Sequence, residues 1–295
     1  MPVLSLIGNK MENPLVSIVL GSYNRRGFLK ATIKNIREHA SEYPYEIIVI
    51  DGGSTDGALE WLVKQKDVLT IIQHNRGKLP DGTAVLRRSW GYFMNLGFKA
   101  AQGKYILMIS DDCLLVPGAI NNGVTLFEEL LSSGEKIGAM AFYWRNWPKH
   151  KDYYVGKTLG NKLFVNHGLY LRGAVENVGW IDELSYKFYN ADGDLCLKLW
   201  QAGYIVVDCK TAFVEHYNHL KSERISNRED KDAFEKKWGG GDNPQEKIPG
   251  GWVYLTHKDT HKTYKNFPVA KIPFLEYFIN LQKKLSRLIN ILKKS

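Results

Sequence analysis

Lys104-Tyr-Ile-Leu-Met-Ile-Ser-Asp-Asp-Cys-Leu-Leu-Val-Pro-Gly118 is the stretch that decides the fold of this chain. Its apolar run, Tyr105 to Ile109, is bounded by polar residues, which is typical of a strand buried on both faces. Two adjacent acids, Asp111 and Asp112, follow at the carboxyl end of that strand. Burying two like charges side by side costs free energy, and a divalent cation offsets that cost. The stretch therefore predicts a Mg²⁺ or Mn²⁺ site; the alternative is a plain start of the next helix.

The residues before this stretch alternate between apolar runs and helical patterns. Apolar, β-branched runs predict three more strands, at Val16–Leu20, Glu46–Ile50 and Val68–Ile72. Helical spacing predicts helices at Phe28–His39, at Ala58–Lys66 with Ser54, Thr55 or Asp56 as its cap, and near Ser89–Ala101. This βαβαβ-αβ order predicts an α/β fold with a parallel sheet and helices on both faces.

Polar clusters follow three of the predicted strands. They are Ser22-Tyr23-Asn24-Arg25, Asp51 and Ser110-Asp111-Asp112. Ligands of such sheets bind outside the carboxyl ends of the strands, so we expect these clusters to share one rim. The segment Gly21 to Gly27 lacks Gly-x-Gly-x-x-Gly, and no Gly-x-x-x-x-Gly-Lys-Ser/Thr follows a strand. These absences exclude a dinucleotide-binding fingerprint and a P-loop.

Composition limits the class of protein further. The 295 residues carry a formal charge of +9, which suggests an anionic partner such as a nucleotide, nucleic acid, acidic lipid or acidic glycan. The three cysteines are widely spaced, which argues against a disulfide framework or a zinc site and fits a reducing compartment. The apolar run at the N-terminus is too short for a signal peptide, and no stretch is long and apolar enough to span a bilayer.

Several motifs, in this order along the chain, resemble those of a family 2 glycosyltransferase of the GT-A fold. They are Val16–Arg25, Ile48–Gly57, Asn95–Tyr105, Ser110-Asp-Asp112 with Pro117-Gly118, and Asp192–Tyr204. The resemblance covers roughly 14–220. It implies a single Rossmann-like, mostly parallel sheet flanked by helices, with a nucleotide-binding half at 14–112 and an acceptor half at 113–220.

The resemblance also implies a reaction and its residues. The reaction is metal-dependent, inverting transfer of a sugar from a nucleoside diphosphate sugar, UDP- or dTDP-linked, to a hydroxyl of a glycan or lipid-linked acceptor, with no nucleic acid involved. Asp112 and His216 would hold Mn²⁺ or Mg²⁺, and Asp192 would be the catalytic base. The donor nucleotide would contact Ser22, Tyr23, Asn24, Arg25, Asp51, Arg76 and Asp111. The acceptor would contact Trp144, His167 and Asp194.

The chain departs from the family pattern at three positions. Ser110 stands where the family often has its first Asp, Gly52 replaces a common second Asp, and Ala191 replaces a Glu. Two alternatives stay open. One is a non-catalytic sugar-binding or lipid-binding protein on the same scaffold. The other is a sugar-nucleotide nucleotidyltransferase, although the Gly-rich signature of that class is absent after the first strand.

The second half is predicted more coarsely. Strands are expected at 137–143, 164–172 and 204–207, and Asp192 and Asp194 are expected to precede a helix at 195–202, one of them as its N-cap. His216 could equally be a plain surface or core histidine, and the ring of Trp144 could simply pack.

Residues 221–295 differ in sequence pattern from the α/β region before them. An irregular extension is expected at 221–269, followed by a basic amphipathic helix at 270–295 whose apolar residues recur in alternating steps of four and three. Such a helix could lie on an anionic membrane, pair as a coiled coil or dock on the catalytic domain. With a lipid-linked acceptor, the expected location is cytoplasmic, peripheral on the inner face of the membrane. The oligomeric state is left open.

Overall fold

A computed structural model of the protein describes residues 13–39, 41–79, 81–147, 150, 152–217, 228–239 and 252–255. Within these residues one sheet of 11 strands is flanked by helices. The strands are β1 (Val16–Ser22), β2 (Tyr45–Asp51), β3 (Val68–Ile72), β4 (Tyr105–Met108), β5 (Cys113–Leu115), β6 (Ile137–Trp147), β7 (Tyr153–Lys157), β8 (Leu163–Phe164), β9 (Gly168–Leu171), β10 (Ile205–Tyr217) and β11 (Trp252–Leu255). The helices are α1 (Arg26–His39), α2 (Ala58–Leu62), α3 (Trp90–Ala100), α4 (Ala119–Ser132), α5 (Arg172–Asn177), α6 (Ala191–Gln201) and α7 (Arg228–Trp238).

The first half of the sheet is parallel, in the order β3-β2-β1-β4. The strands β1 and β4 are almost wholly buried, as expected for apolar runs covered on both faces. The helix α1 turns Phe28, Leu29, Ile33 and Ile36 inward, which confirms the face predicted for it. The α/β class and the parallel order of the first four strands are therefore confirmed.

The second half of the sheet is mixed. The strand β9 is antiparallel to both β4 and β6, whereas β10 runs parallel to β6 and antiparallel to β5. The strand predicted at 164–172 is wrong in detail, because residues 165–167 separate β8 from β9 and Arg172 begins α5. The strand predicted at 204–207 is too short, since β10 continues to Tyr217 with irregular register after Cys209.

Two helix caps also differ from prediction. Gly57, in the left-handed region at φ +85°, is the N-cap of α2, and that helix ends at Leu62 rather than Lys66. The helix α6 begins at Ala191 after Asn190, which has φ +66°, so neither Asp192 nor Asp194 is the N-cap. Both acids lie in the first turn, where the helix dipole favours negative charge.

Part of the predicted organisation is left untested by this structure. The division into halves at 112 and 113 stays a prediction, and the amphipathic helix at 270–295 lies outside the described residues. Among the helices that are described, none combines the length and the apolar character needed to cross a bilayer.

Candidate active site

The acid pair lies between β4 and β5 and is held by one arginine. Arg25 Nη1 donates to Asp111 Oδ1 at 3.1 Å and to Asp112 Oδ2 at 2.7 Å, while Ser22 Oγ donates to Asp111 Oδ2 at 2.8 Å. Both carboxylates are buried, and Arg25 stays 39% exposed. Burial raises the pKa of Asp111 to about 6 against the opposing charge of Arg25. Burial lowers the pKa of Arg25, yet the two carboxylates more than reverse this and raise it overall.

Two buried polar residues of α1 fix the segment that carries the acids. Thr32 Oγ1 lies 2.8 Å from the carbonyl oxygen of Asp111 and 2.9 Å from that of Cys113. Asn35 donates to the carbonyl of Leu115 and accepts from its N–H, at 3.1 and 2.7 Å. Because a buried backbone group without a partner is costly, these contacts set the position of the acids from outside the site.

The two polar loops after β1 and β2 are joined by hydrogen bonds. The N–H of Asn24 donates to Ser54 Oγ at 2.8 Å, and Asn24 Oδ1 accepts from the N–H of Thr55 at 2.7 Å. Asp51, which is fully buried, accepts from the N–H groups of Gly53 and Ser54 at 2.8 and 2.6 Å and from Ser54 Oγ at 2.7 Å. The carboxylate of Asp51 therefore shapes its own turn and presents no surface to a nucleotide.

An aromatic ring covers the same rim. The guanidinium of Arg76 lies 4.7 Å from the ring centre of Tyr23, in cation–π contact. A Cβ at Gly52 would come within 3.0 Å of that ring. Gly52 thus stands in place of the family's Asp because the ring of Tyr23 occupies the space that a side chain at position 52 would need.

Strand pairing brings His216 to the acid pair. In the antiparallel register of β10 and β5, His216 lies opposite Cys113. Its Nε2 is 3.5 Å from Asp112 Oδ1, and its Nδ1 is 2.7 Å from Asn146 Oδ1. A carboxylate oxygen and an imidazole nitrogen at this spacing are both ligands that divalent ions accept, so these residues fit the implied ion.

His167 and Trp144 line the same place. Trp144 meets the rings of His167 and His216 nearly edge-on, with centroids 5.6 and 5.5 Å apart. His167 is buried, and burial lowers its pKa to about 3, so its imidazole is neutral. A Cβ added at Gly168, which has φ +151°, would lie 2.1 Å from Met140 O, so only glycine fits at this position.

Asp192 lies in the first turn of α6 and is only partly exposed. Its Oδ2 accepts from Asn166 Nδ2 at 2.9 Å, and its Oδ1 accepts from the N–H of Gly193 at 2.9 Å. Burial raises its pKa to about 6, and these hydrogen bonds oppose the rise. A carboxylate with this pKa is charged at neutral pH and still basic enough to accept a proton, which suits a general base.

Asp194 is buried between α6 and α7. It is fully buried, and its Oδ1 accepts from Tyr186 Oη at 2.9 Å and from Trp238 Nε1 at 2.7 Å. Lys237 Nζ lies 2.7 Å from the same oxygen. The predicted acceptor contact at Asp194 therefore lacks support from the geometry, because the carboxylate joins α6 to α7 instead.

Several residues of the site were not predicted. Cys113, Asn146 and Asn166 contact His167, His216 and Asp192 respectively. Cys113 follows the acid pair directly, so its position was a usable signal. Asn166 directly precedes the predicted His167, which was also a usable signal, whereas Asn146 gave none, because its partner His216 is distant in sequence.

A buried ion pair holds β6 and β10 beside this site. Arg145 donates to Glu215 through Nε at 2.8 Å and through Nη2 at 2.7 Å, and Tyr153 Oη donates to the same carboxylate at 2.5 Å. Paired and hydrogen-bonded in this way, the two charges tolerate burial next to His216.

Comparison with known proteins links this geometry to a family. The family model described as glycosyl transferase family 2 matches residues 17–171. A chondroitin synthase of Escherichia coli is 28% identical over 187 residues, which are 60% of this chain and 25% of the synthase. The chain thus spans about a quarter of the length of that relative.

Two solved structures share the fold. Staphylococcus aureus TarS 1-349, in complex with UDP-GlcNAc, has a TM-score of 0.56 at 14% identity, covering 78% of this chain and 68% of that one. The mannosyltransferase PcManGT from Pyrobaculum calidifontis, in complex with GDP-Man and Mn²⁺, has a TM-score of 0.54 at 17% identity, covering 79% and 66%. These likenesses show that the fold is of the GT-A type.

Proposed function

Because the chain belongs to glycosyl transferase family 2, we propose that it transfers a sugar from a UDP- or dTDP-linked donor to a hydroxyl of a glycan or lipid-linked acceptor, with inversion. The observation that carries this proposal is the meeting of Asp112, His216 and Arg25 at the carboxyl ends of β1 and β4. The complexes of the two structural neighbours with UDP-GlcNAc and with GDP-Man support a nucleoside diphosphate sugar as donor.

The acid pair and Arg25 would form the diphosphate end of the donor site. Asp112 and His216 would hold a Mn²⁺ or Mg²⁺ ion, which when bound neutralises the charge of the leaving diphosphate. Arg25 keeps 39% of its side chain exposed beside the two acids. Such a planar cation can bind a phosphate oxygen directly.

The nucleoside end would rest on the loops after β1 and β2. Tyr23 and Arg76 present a ring and a guanidinium at the rim, and both are suited to stacking with a base. Asn24 joins the two loops and keeps part of its surface exposed, so it would contact the donor. Ser22 and Asp51 are buried and would act from behind, because their side chains hold the acid pair and the loop after β2. Their contribution is the shape of the pocket rather than direct contact.

Asp192 would take the proton of the acceptor hydroxyl. Proton removal by a positioned carboxylate typically gives 10²- to 10⁴-fold in rate. Attack of the oxygen on the anomeric carbon then breaks the bond to the diphosphate and inverts the configuration. Trp144 and His167 would line the acceptor side, since the rings of both pack beside that of His216.

A screen of nucleotide sugars tests the proposal. The thermal midpoint of the full chain is measured with UDP-, dTDP- and GDP-linked sugars, each with and without Mn²⁺. We expect stabilisation by one UDP or dTDP sugar that requires the ion, followed by release of the nucleoside diphosphate when an acceptor hydroxyl is supplied.

The same screen separates the alternatives. Binding of a sugar without release of a nucleoside diphosphate would favour the non-catalytic protein to which Ser110 and Ala191 point. Release of pyrophosphate from a nucleoside triphosphate and a sugar phosphate would favour the nucleotidyltransferase. No response to any nucleotide sugar would refute the proposed donor class.

A further inference from the structure

The helix α7 lies against the segment of chain that leads into α6. Asp230, Phe234 and Trp238 stand four residues apart along α7, so their side chains share one face of the helix. Most other positions of α7 are charged and exposed. The three side chains therefore form one contact face, which lies beyond the part of the chain that the family model matches.

At the beginning of α7, one carboxylate binds three consecutive backbone groups. Asp230 Oδ1 accepts from the N–H of Lys187 at 2.6 Å, and Asp230 Oδ2 accepts from the N–H groups of Phe188 and Tyr189 at 2.9 and 2.7 Å. Asp230 is only 1% exposed. Because hydrogen bonds to a charged acceptor are short and strong, this carboxylate fixes the position and the direction of the backbone at 187–189.

The rest of the same face holds the chain on either side of that segment. The ring of Phe234 lies 6.3 Å from the ring of Tyr186, centre to centre. Trp238 Nε1 donates to Asp194 Oδ1 at 2.7 Å. The contacts of α7 thus fall before and after Asp192 along the chain.

The start of α6 depends on this support. Its N-cap, Asn190, has φ +66°, and within the described part of the chain its side chain makes no capping hydrogen bond. The turn that aims α6 is therefore held by the residues before it, which Asp230 binds. Asp192 is the second residue of α6, so a shift of this turn would move its carboxylate.

We propose that Asp230 is a positioning residue, through which α7 sets the place of the Asp192 carboxylate relative to the acceptor hydroxyl. This inference rests on the proposed function, in which Asp192 takes the proton of that hydroxyl. A displacement of about 1 Å between reacting groups can cost about 100-fold in rate. The donor site, on the loops after β1 and β2 and on the acid pair, has its own hydrogen bonds and should not depend on Asp230.

Asp230→Asn tests the proposal in the full chain. The amide keeps one acceptor oxygen and turns a donor toward an N–H, so part of the contact is lost. Hydrogen exchange, read by mass spectrometry on peptides that cover 187–189, should become faster by about tenfold or more. The kcat for release of the nucleoside diphosphate should fall by about 10- to 100-fold. The KM for the nucleotide sugar and its ion-dependent thermal stabilisation should stay unchanged.

Asp232→Asn is the matched control, because it removes the same charge from an exposed position of the same helix. We expect this variant to keep the exchange rate and the kcat of the unaltered chain. Unchanged exchange in Asp230→Asn would overturn the proposal, and so would faster exchange with an unchanged kcat. A joint loss of kcat and of donor stabilisation would also overturn it, because that pattern indicates general unfolding.

Failure of the proposed function would look different. In that case the unaltered chain would release no nucleoside diphosphate from any nucleotide sugar. The exchange measurement needs neither donor nor acceptor, and it would still decide whether Asp230 holds the turn before α6.

Discussion

The hydrogen bond between Asn166 and Asp192 gives a direct test of the proposed catalytic base. Asn166 Nδ2 donates to Asp192 Oδ2 at 2.9 Å and so stabilises the charged carboxylate. In Asn166→Ala that stabilisation is lost, and the pKa of Asp192 rises above its value of about 6. Because transfer requires the carboxylate form, the acidic limb of the pH–rate profile should move to higher pH.

The size of the shift follows from the geometry. A hydrogen bond to a charged group contributes about 1.5–3 kcal/mol, and one pKa unit corresponds to about 1.4 kcal/mol. Asp192 is partly exposed, so a hydrogen bond from water compensates for much of the one lost from the amide of Asn166. We therefore expect a shift of about 0.5–1 pH unit, with the rate unchanged well above the limb.

The assay is release of the nucleoside diphosphate between pH 5 and 9 with saturating donor. Asn177→Ala, at an exposed position of α5, is the matched control and should leave the profile in place. Asp192→Asn should lower the rate by about 10²- to 10⁴-fold while donor binding barely changes. An unmoved acidic limb in Asn166→Ala, together with an active Asp192→Asn variant, would show that another group takes the proton.

Three further predictions concern the metal, the scaffold and the tail. Asp112→Asn should abolish transfer and the ion-dependent stabilisation by nucleotide sugar, with an unchanged circular dichroism spectrum; normal turnover would remove Asp112 from the metal site. Asn35→Ala leaves both backbone groups of Leu115 buried without their partner, so urea denaturation should show a loss of about 2–4 kcal/mol, against little change for Lys34→Ala on the exposed face of α1. A chain ending at Val269 should stay folded and stop sedimenting with anionic liposomes at low salt, since each basic residue of the predicted tail helix contributes about 1 kcal/mol; liposome binding by the shortened chain would refute the role of the tail.

The first half of the fold was predictable because its signals are local. Buried parallel strands have short apolar runs as their sequence pattern. The polar residues that follow these runs lie at the edge of the sheet where ligands bind. The strand Val68–Ile72 was therefore found to the residue, and α3 within one residue of each end. Asp111 and Asp112 indicated the candidate site because they directly follow such an apolar run.

The second half resisted prediction because its signals are not local. Gly168 looks like any glycine in the sequence, yet its conformation ends the segment that carries His167. In the sequence, Asp194 has the spacing of a helix cap or of a residue that contacts a ligand. Only its hydrogen bonds to Tyr186 and to Trp238 of α7 show that it is a buried structural residue. The pairing of β10 with β5, which brings His216 to Cys113, depends on a strand that continues through an irregular register.

The hydrogen bonds between the loops after β1 and β2 have a consequence for protein engineering. Asn24 binds Ser54 and Thr55, so the two loops form one piece whose parts lie about thirty residues apart in the sequence. A graft of either loop alone into another glycosyltransferase would leave the other without its partners. Changes of nucleotide preference should thus be selected as paired exchanges in both loops, and a library that varies them jointly will recover active variants that two separate libraries miss.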